Sequence, residues 1–438
     1  MDYRQAEAYL LGTIDEQASR REPYRLERMR DFLRALGDPQ NAYPTVHVGG
    51  TSGKGSTSTM IASMLRASGK RTGLHTKPHL RSMTERARVD GADVTEERFA
   101  ELLAEMMPAI EVRAADGARP SYYETLLALA FLHFAREEVD VAVIEVGLGG
   151  TLDGTNVIVP EVAAITTVGY DHTEILGDTL AKIAFDKGGI AKRGVPLVCG
   201  VTDAEARAAI EERCAEAGAP FVPVWDTTVV TPHAGGRYVQ HFDVATPETT
   251  YAVALPLLGG FQRANAAVAL RVVERLRPDL RPAREACERG LSLVSLAGRM
   301  EYLPAHPGVV FDVAHNPEKA ARLAEALLEQ FPDRRFSLVV AIGETKDAAE
   351  IVRALGVLPA SFIFTTFEVA GRHAIKPQRL ASIAEDAGAW GRAIADPVDA
   401  LTIARRNAGA DDIVVVTGST IVVAELRAWW FEHVAAAS

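Results

Sequence analysis

The chain has 438 residues, 48% hydrophobic and 24% charged, with a formal net charge of −11. That length exceeds what one ordinary core fills, so two domains are expected, with the composition of a soluble globular protein. The acidic balance argues against nucleic acid as the main partner, and no apolar run reaches the roughly 20 residues that cross a bilayer. Residues 1–20 carry Asp, Glu and Arg early and lack the apolar stretch of a signal peptide. The three cysteines, Cys199, Cys214 and Cys287, are scattered without metal-ligand spacing. They suit a reducing compartment, so the cytoplasm is the expected location.

Residues 1–44 read as helices, with an amphipathic stretch at 24–36. Strands and helices then alternate. Strands are expected at 45–50, 72–76, 139–146, 162–168 and 196–200, and helices at 95–114 (interrupted at Pro108), 122–136, 180–187 and 203–217. The 139–146 strand is apolar apart from Asp140 and Glu145 and reads as buried on both faces. Residues 220–258 read as antiparallel strands, and 262–276 and 282–293 as helices. A boundary near 295–299 precedes a second alternation: strands at 309–313, 337–342, 362–366 and 412–417, helices at 317–330, 348–355, 377–387, 397–408 and 420–435. Such alternation implies parallel, helix-covered sheets in both halves.

The motif that carries most information is Gly50-Thr51-Ser52-Gly53-Lys54-Gly55-Ser56, between the apolar run Val46-His47-Val48 and the helical 57–71. Strand, glycine loop, lysine, hydroxyl and helix make a phosphate cradle. The glycines turn backbone N–H groups toward one point, Lys54 adds a cation, and Ser56 offers a hydroxyl to Mg²⁺ or phosphate. The alternative is a glycine turn before an ordinary helix.

Glu145 ends a buried strand and is followed by Gly147, Gly149 and Gly150, then by Asp153 and Asn156. Ligands of open α/β sheets sit at the carboxyl ends of strands, so Glu145 is expected to face the phosphate site. Asp171 and His172 are expected at the end of the next strand, and Lys187 in a helix-to-turn segment, Asp186-Lys187-Gly188-Gly189. Taken singly these read as loop and structural residues. Together, a carboxylate and an imidazole are candidate Mg²⁺ or Mn²⁺ ligands beside phosphate oxygens.

With these segments the chain resembles the folylpolyglutamate synthase/dihydrofolate synthase family of the Mur ligase superfamily. The matching stretches also include Thr76-Lys77-Pro78-His79-Leu80, Glu85-Arg86, Tyr123-Glu124, Gln262 with Asn265, Gly298-Arg299, Asp312 to Pro317 and Thr417-Gly418-Ser419, in family order. The resemblance implies an α/β, two-domain Mur-ligase-like architecture. A P-loop-type, mostly parallel sheet domain at 1–296, β-rich near 220–258, precedes a smaller Rossmann-like α/β domain at 297–438. It implies that ATP phosphorylates a carboxylate and that glutamate attacks the acyl phosphate, a reaction that needs positioning and positive charge.

By the same resemblance, Gly50 to Ser56, Gln262, Asn265, Arg299 and Asp312 hold ATP, with Lys54, Lys187, Arg299 and His315 catalytic. Ser56, Glu145, His172 and Lys187 surround Mg²⁺, with K⁺ as a further cation and Lys187 carbamylated. Lys77, His79, Asp153 and Ser419 serve the substrates: glutamate and a folate-type acid, dihydropteroate or a folyl-glutamate. A monomer without nucleic-acid or membrane partners, closing around ATP, is expected. The chain departs from the family at four places. Lys77 stands where a metal-binding serine is usual, Ser52 replaces Asn, Phe261 replaces His, and 21–25 lacks a Gly-Leu pair. Two further readings stay open: a ligase for a non-folate acid and amino acid, and a catalytically silent nucleotide binder.

Overall fold

Short runs of Val, Ile and Ala between helices form strands that are buried on both faces, as parallel sheets require. The structure, a computed structural model, describes residues 1–14, 26–233, 236, 238–369 and 372–435; the expectation at 21–25 lies outside them. The chain divides into two units: Met1–His233, His241–Ala254 and Arg263–Val294, and Ala234–Gln240, Leu255–Gln262 and Ser295–Ser438.

In the first unit eight strands share one sheet: β1 (Thr45–Gly49), β2 (Thr72–His75), β3 (Arg88–Val89), β4 (Ala92–Asp93), β5 (Val141–Glu145), β6 (Val162–Ile165), β7 (Leu197–Cys199) and β8 (Phe221–Pro223). Their order is β4-β3-β2-β5-β1-β6-β7-β8. β1 is parallel to both neighbours, with Val48 beside Glu145 and Gly49 beside Ile165. The chain leaves β1 toward the β2–β5 side and later returns on the β6 side. The carboxyl end of β1 is therefore a topological switch point, where open sheets bind ligands.

Helices cover both faces. α1 (Tyr3–Leu11), α2 (Leu26–Ala35), α4 (Glu96–Ala115) and α5 (Tyr122–Arg136) bury Leu10, Phe32, Phe99, Phe131 and Phe134 in one core with Ala142 and Ile144. Further along the same face, where His47 is flanked by Ile144 and Ala163, α7 (Leu180–Gly188) and α8 (Ala204–Ala217) enclose Val146, Ile165, Ile190 and Ile210. Between these groups in sequence lie α3 (Lys54–Ala67) and the short α6 (Thr173–Leu176).

Pro108 does not interrupt α4, contrary to the sequence reading. The i−4 carbonyl that proline cannot serve belongs to Ala104, on the exposed face where water can satisfy it, while Leu102, Leu103, Met106 and Ile110 hold both halves to the core. A second correction concerns residues 220–258. β8 pairs in parallel with β7, because it follows the helical crossover α8. A separate sheet holds β9 (Val229–Pro232), β10 (Gln240–Ala245) and β11 (Thr250–Leu255), with β10 antiparallel to β9. α9 (Phe261–Val273) and α10 (Arg284–Ser292) follow.

The second unit has six strands in the order β12-β13-β19-β14-β15-β18. They are β12 (Glu301–Leu303), β13 (Gly308–Phe311), β14 (Phe336–Val340), β15 (Ala360–Phe364), β18 (Gly391–Ala393) and β19 (Ile413–Thr417), with a hairpin of β16 (Glu368–Val369) and β17 (Arg372–His373). Only β12, too polar to stand out in the sequence, runs antiparallel, against β13. α11 (Pro317–Gln330), α12 (Ala348–Leu355), α13 (Pro377–Asp386), α14 (Pro397–Asn407) and α15 (Thr420–His433) complete the alternation.

Candidate active site

The glycine loop leaves β1 and ends as the N-terminus of α3, whose cap, Gly53, is left-handed at φ +84°. Gly50 sits at φ +135°, and a Cβ there would collide with Thr166 Oγ1. The loop is held from behind by the segment after β6. Thr51 N donates to Thr167 O (2.8 Å) and Ser52 N to Thr167 Oγ1 (3.0 Å), while the Thr166 hydroxyl donates to Ser52 O (2.6 Å). Thr51 Oγ1 and the Gly169 backbone complete the brace.

Lys54 folds back over the loop, donating to Gly50 O (2.8 Å) and Thr51 O (3.1 Å). Ser56 is buried in the first turn of α3, and the Ser52 hydroxyl is buried without a hydrogen-bond partner among the described residues. Asn265, on α9, lies against Gly53. Rigid backbone, a free loop hydroxyl, a fixed lysine and a helix N-terminus together fit a phosphate chain.

Glu145 is 4% exposed, and its Oε2 lies 3.3 Å from where a Cβ on Gly55 would stand. From the β2 side the backbone N–H of Lys77 donates to the same oxygen (3.0 Å). His79 Nδ1 accepts from Arg86 Nε (3.0 Å). Asp153 is 2% exposed and fully engaged. Its Oδ1 accepts from Thr155 N, Thr155 Oγ1 and Tyr123 OH, and its Oδ2 from Leu148 N (2.7 Å). Its carboxylate thus shapes the loop after β5.

Lys187 is 4% exposed near the end of α7, and its Nζ donates to Gly50 O (3.3 Å), the carbonyl that Lys54 also binds. Burial lowers its pKa, against the pull of Asp186 and Asp171, which favours the free amine. Asp186, beside it, is pushed up by burial. His172 differs from expectation. It stands seven residues beyond Ile165, the last residue of β6, not at the strand end. It caps α6 at φ +51°, about half exposed, with ring nitrogens 3.7 Å from Asp171 and from Glu174.

Among the described residues no three His, Cys, Asp or Glu side chains form a ready-made metal cage. A buried carboxylate and hydroxyl at the cradle fit the kind of site in which Mg²⁺ takes one or two protein oxygens and completes its shell with phosphate and water.

The second unit gathers its candidates at the carboxyl ends of β13 and β19. Asp312 accepts from Met300 N and Ala314 N (both 2.8 Å), and its carboxyl is raised by burial against the influence of Arg299. His315 Nδ1–H donates to Val313 O (2.8 Å), leaving Nε2 to accept from Lys319 (3.4 Å). Burial and then Lys319 lower its pKa to about 4, with Lys346 and Arg299 adding to the positive field. Arg299 is half-buried. Ser419 caps α15 after Gly418, and Gly418 N donates to Ala314 O. Gln262 is buried at the start of α9.

Sequence reasoning gave no role to Thr166 and Thr167, whose signal was a hydroxyl pair after an apolar strand. It also passed over His47 within β1. His47 Nε2 donates to Thr155 Oγ1 (2.8 Å), which donates to Asp153, so the phosphate-loop strand is tied to the loop after β5. Burial keeps His47 neutral, with a pKa of about 3.

Fold and cradle together define a Mur ligase. The Mur ligase middle domain matches residues 48–273, and the Mur ligase, glutamate ligase domain matches 298–420. A dihydrofolate synthase/folylpolyglutamate synthase of Bacillus subtilis is 33% identical, covering 92% of this chain and 94% of that one. A probable bifunctional folylpolyglutamate synthase/dihydropteroate synthase of Haloferax volcanii is 40% identical over 92% of this chain. The match spans 48% of that protein, so this chain covers about half the length of the haloarchaeal relative.

Escherichia coli FolC, solved with DHPP and ADP, superposes with a TM-score of 0.87 at 26% identity, covering 99% of this chain and 98% of that one. A bifunctional folylpolyglutamate synthase/dihydrofolate synthase solved with Mn, AMPPNP and L-glutamate gives 0.83 at 28% identity, with 98% of each chain covered. This chain belongs to the folylpolyglutamate synthase/dihydrofolate synthase family.

Proposed function

We propose that the protein is an ATP-dependent ligase that joins L-glutamate to a folate-type carboxylic acid, dihydropteroate or a folyl-glutamate, through an acyl phosphate. The observation that carries this reading is the braced glycine loop with buried Glu145 against it, in a chain that aligns almost end to end with a family member from Bacillus. The non-folate ligase and the silent nucleotide binder gain no comparable support.

In this reading residues 1–296 are the ATP-binding part and 297–438 the glutamate-ligase part. The loop from Gly50 to Ser56 holds the phosphates, as charge moves from the γ-phosphoryl group to ADP, through the Lys54 ammonium and the backbone N–H groups of Gly53 to Ser56, those of Thr51 and Ser52 being engaged by Thr167. Ser56 and Glu145, with His172 and Lys187, would hold Mg²⁺, whose chemistry is to neutralise phosphate charge. Burial lowers the Lys187 pKa and so raises its share of free amine, the form that adds CO₂, which suits Lys187 to a carbamate. The carbamate would turn a repelling ammonium into an anion. Asn265 and Gln262 are assigned to the nucleotide, Asp312 to ribose, and Arg299 to phosphate. Asp153 and His79 shape the acid side, and His315 and Ser419 the glutamate side. A cytoplasmic monomer is proposed on the acidic net charge and the three free, buried cysteines.

ADP release measured over a panel of acid and amine pairs tests this. Release is expected only with both a folate-type acid and L-glutamate, and to fall about 100-fold or more in Lys54→Ala. Release that needs no acid, or that follows a non-folate pair, overturns the reading.

A further inference from the structure

Among the described residues, Lys77 is the one lysine near Glu145 whose ammonium makes no hydrogen bond or ion pair. Lys54 and Lys187 both reach Gly50 O. The backbone N–H of Lys77 is held by Glu145, yet no carboxylate oxygen lies within 4 Å of its Nζ among the described residues. The ammonium instead lies 6.0 Å from the centre of the Tyr123 ring, mostly withdrawn from water. Asp153, Glu145 and Asp171 attract it from a distance and Arg86 repels it. Asp153 is not its counter-ion at short range: neither of its oxygens lies within 4 Å of the ammonium among the described residues, and both accept from Tyr123 or from the loop after β5. A cation held away from water without a close partner is costly unless an anion joins it.

The strand order says which anion. β5, which carries Glu145, lies between β1 with its phosphate loop and β2, which leads into Lys77. The chain therefore enters Lys77 on the side of Glu145 opposite β1, and the ammonium lies over Tyr123, whose hydroxyl donates to Asp153. Resting on the ligase reading above, we propose that Lys77 binds the reacting carboxylate of the acid substrate, as a fixed positioning cation that keeps its proton throughout. The carboxylate would otherwise approach Glu145, a like charge in a site of low polarity. An ammonium between them offsets that repulsion and holds one carboxylate oxygen.

The test uses the full-length protein with Mg²⁺ and AMPPNP, and compares binding of dihydropteroate with that of its carboxamide. Both ligands are titrated into wild type, Lys77→Met and Lys77→Arg, with AMPPNP affinity reporting that the cradle is intact. Wild type is expected to prefer the carboxylate by about ten- to a hundredfold, the range of a charge-assisted hydrogen bond. Lys77→Met should bind both ligands alike, and Lys77→Arg should recover much of the preference.

If Lys77→Met keeps the full preference, the proposal fails and the ligase reading stands. If the substitution instead weakens AMPPNP relative to ADP and leaves the acid preference alone, the ammonium belongs to the nucleotide and the proposal is again overturned. If wild type binds AMPPNP but neither dihydropteroate nor tetrahydrofolate, the folate reading falls and the proposal with it.

Discussion

A single methyl group on Gly50 tests the phosphate cradle. Gly50 stands at φ +135°, a conformation that costs a non-glycine residue roughly 1–3 kcal/mol. The new Cβ would also collide with Thr166 Oγ1 and come within 3.1 Å of the Thr166 and Thr167 backbone nitrogens. To make room, the Thr166 hydroxyl must give up the bond its one proton makes to Ser52 O (2.6 Å), at about 0.5–1.5 kcal/mol. The Gly50 carbonyl, shared by Lys54 and Lys187, moves with it. The combined cost is on the order of 3 kcal/mol, which lowers the population of the competent loop roughly a hundredfold. Calorimetric titration of Gly50→Ala with AMPPNP should show that loss. Gly69→Ala is the control: φ is +87° but nothing lies within 4 Å of its Cβ, so it should cost backbone strain alone and leave binding unchanged. Adding Thr166→Ala to Gly50→Ala should recover part of the affinity. AMPPNP affinity within threefold of wild type in Gly50→Ala would refute the reasoning.

Three further outcomes are expected. Lys187→Ala should abolish turnover, with partial recovery in millimolar acetate or bicarbonate, and wild type in ¹³C-bicarbonate should show a carbamate resonance that the variant lacks; an active enzyme with no such signal counts against the modification. Glu274→Ala should cost about 3–5 kcal/mol in urea unfolding, because it strips the partner from Arg271 in a pair 2.6 Å apart and 3% exposed at both ends; an unchanged midpoint excludes a structural role for the pair. His75 is fully buried with its pKa lowered to about 4, so between pH 6.5 and 4 only the unfolded chain binds its proton. The stability that neutral His75 confers is complete above pH 6.5 and declines as pH falls through that window. The loss of stability from pH 7 to pH 5 should therefore shrink by roughly 2 kcal/mol in His75→Asn, and an unaltered pH difference would reject the assignment.

The sequence by itself determined the elements and the cradle. Apolar runs of Val, Ile and Ala separated by helical periodicity gave β1, β2, β5, β6 and β7 of the first sheet and β13, β14, β15 and β19 of the second, because burial on both faces leaves that composition as its mark, whereas the short β3, β4, β12 and β18 toward the sheet edges left none. The glycine loop was legible because a phosphate cradle needs residues without side chains at fixed spacing, and Gly50 and Gly53 do adopt positive φ. Tertiary structure alone decided what those elements face. Pro108 stays inside α4 because the groups it leaves unserved meet water, and β8 joins the parallel sheet because α8 carries the chain back to it. His172 looks like a strand-end ligand in sequence but stands seven residues past β6 in an exposed turn. Asp153, polar and loop-like in sequence, is buried and spends both oxygens on its own loop. Strand order brings the chain into Lys77 on the side of Glu145 opposite β1. Local patterns record which apolar runs are buried. They do not record its partners, because partners are set by contacts between segments a hundred residues apart, such as Thr166 with Ser52 and Lys187 with Gly50.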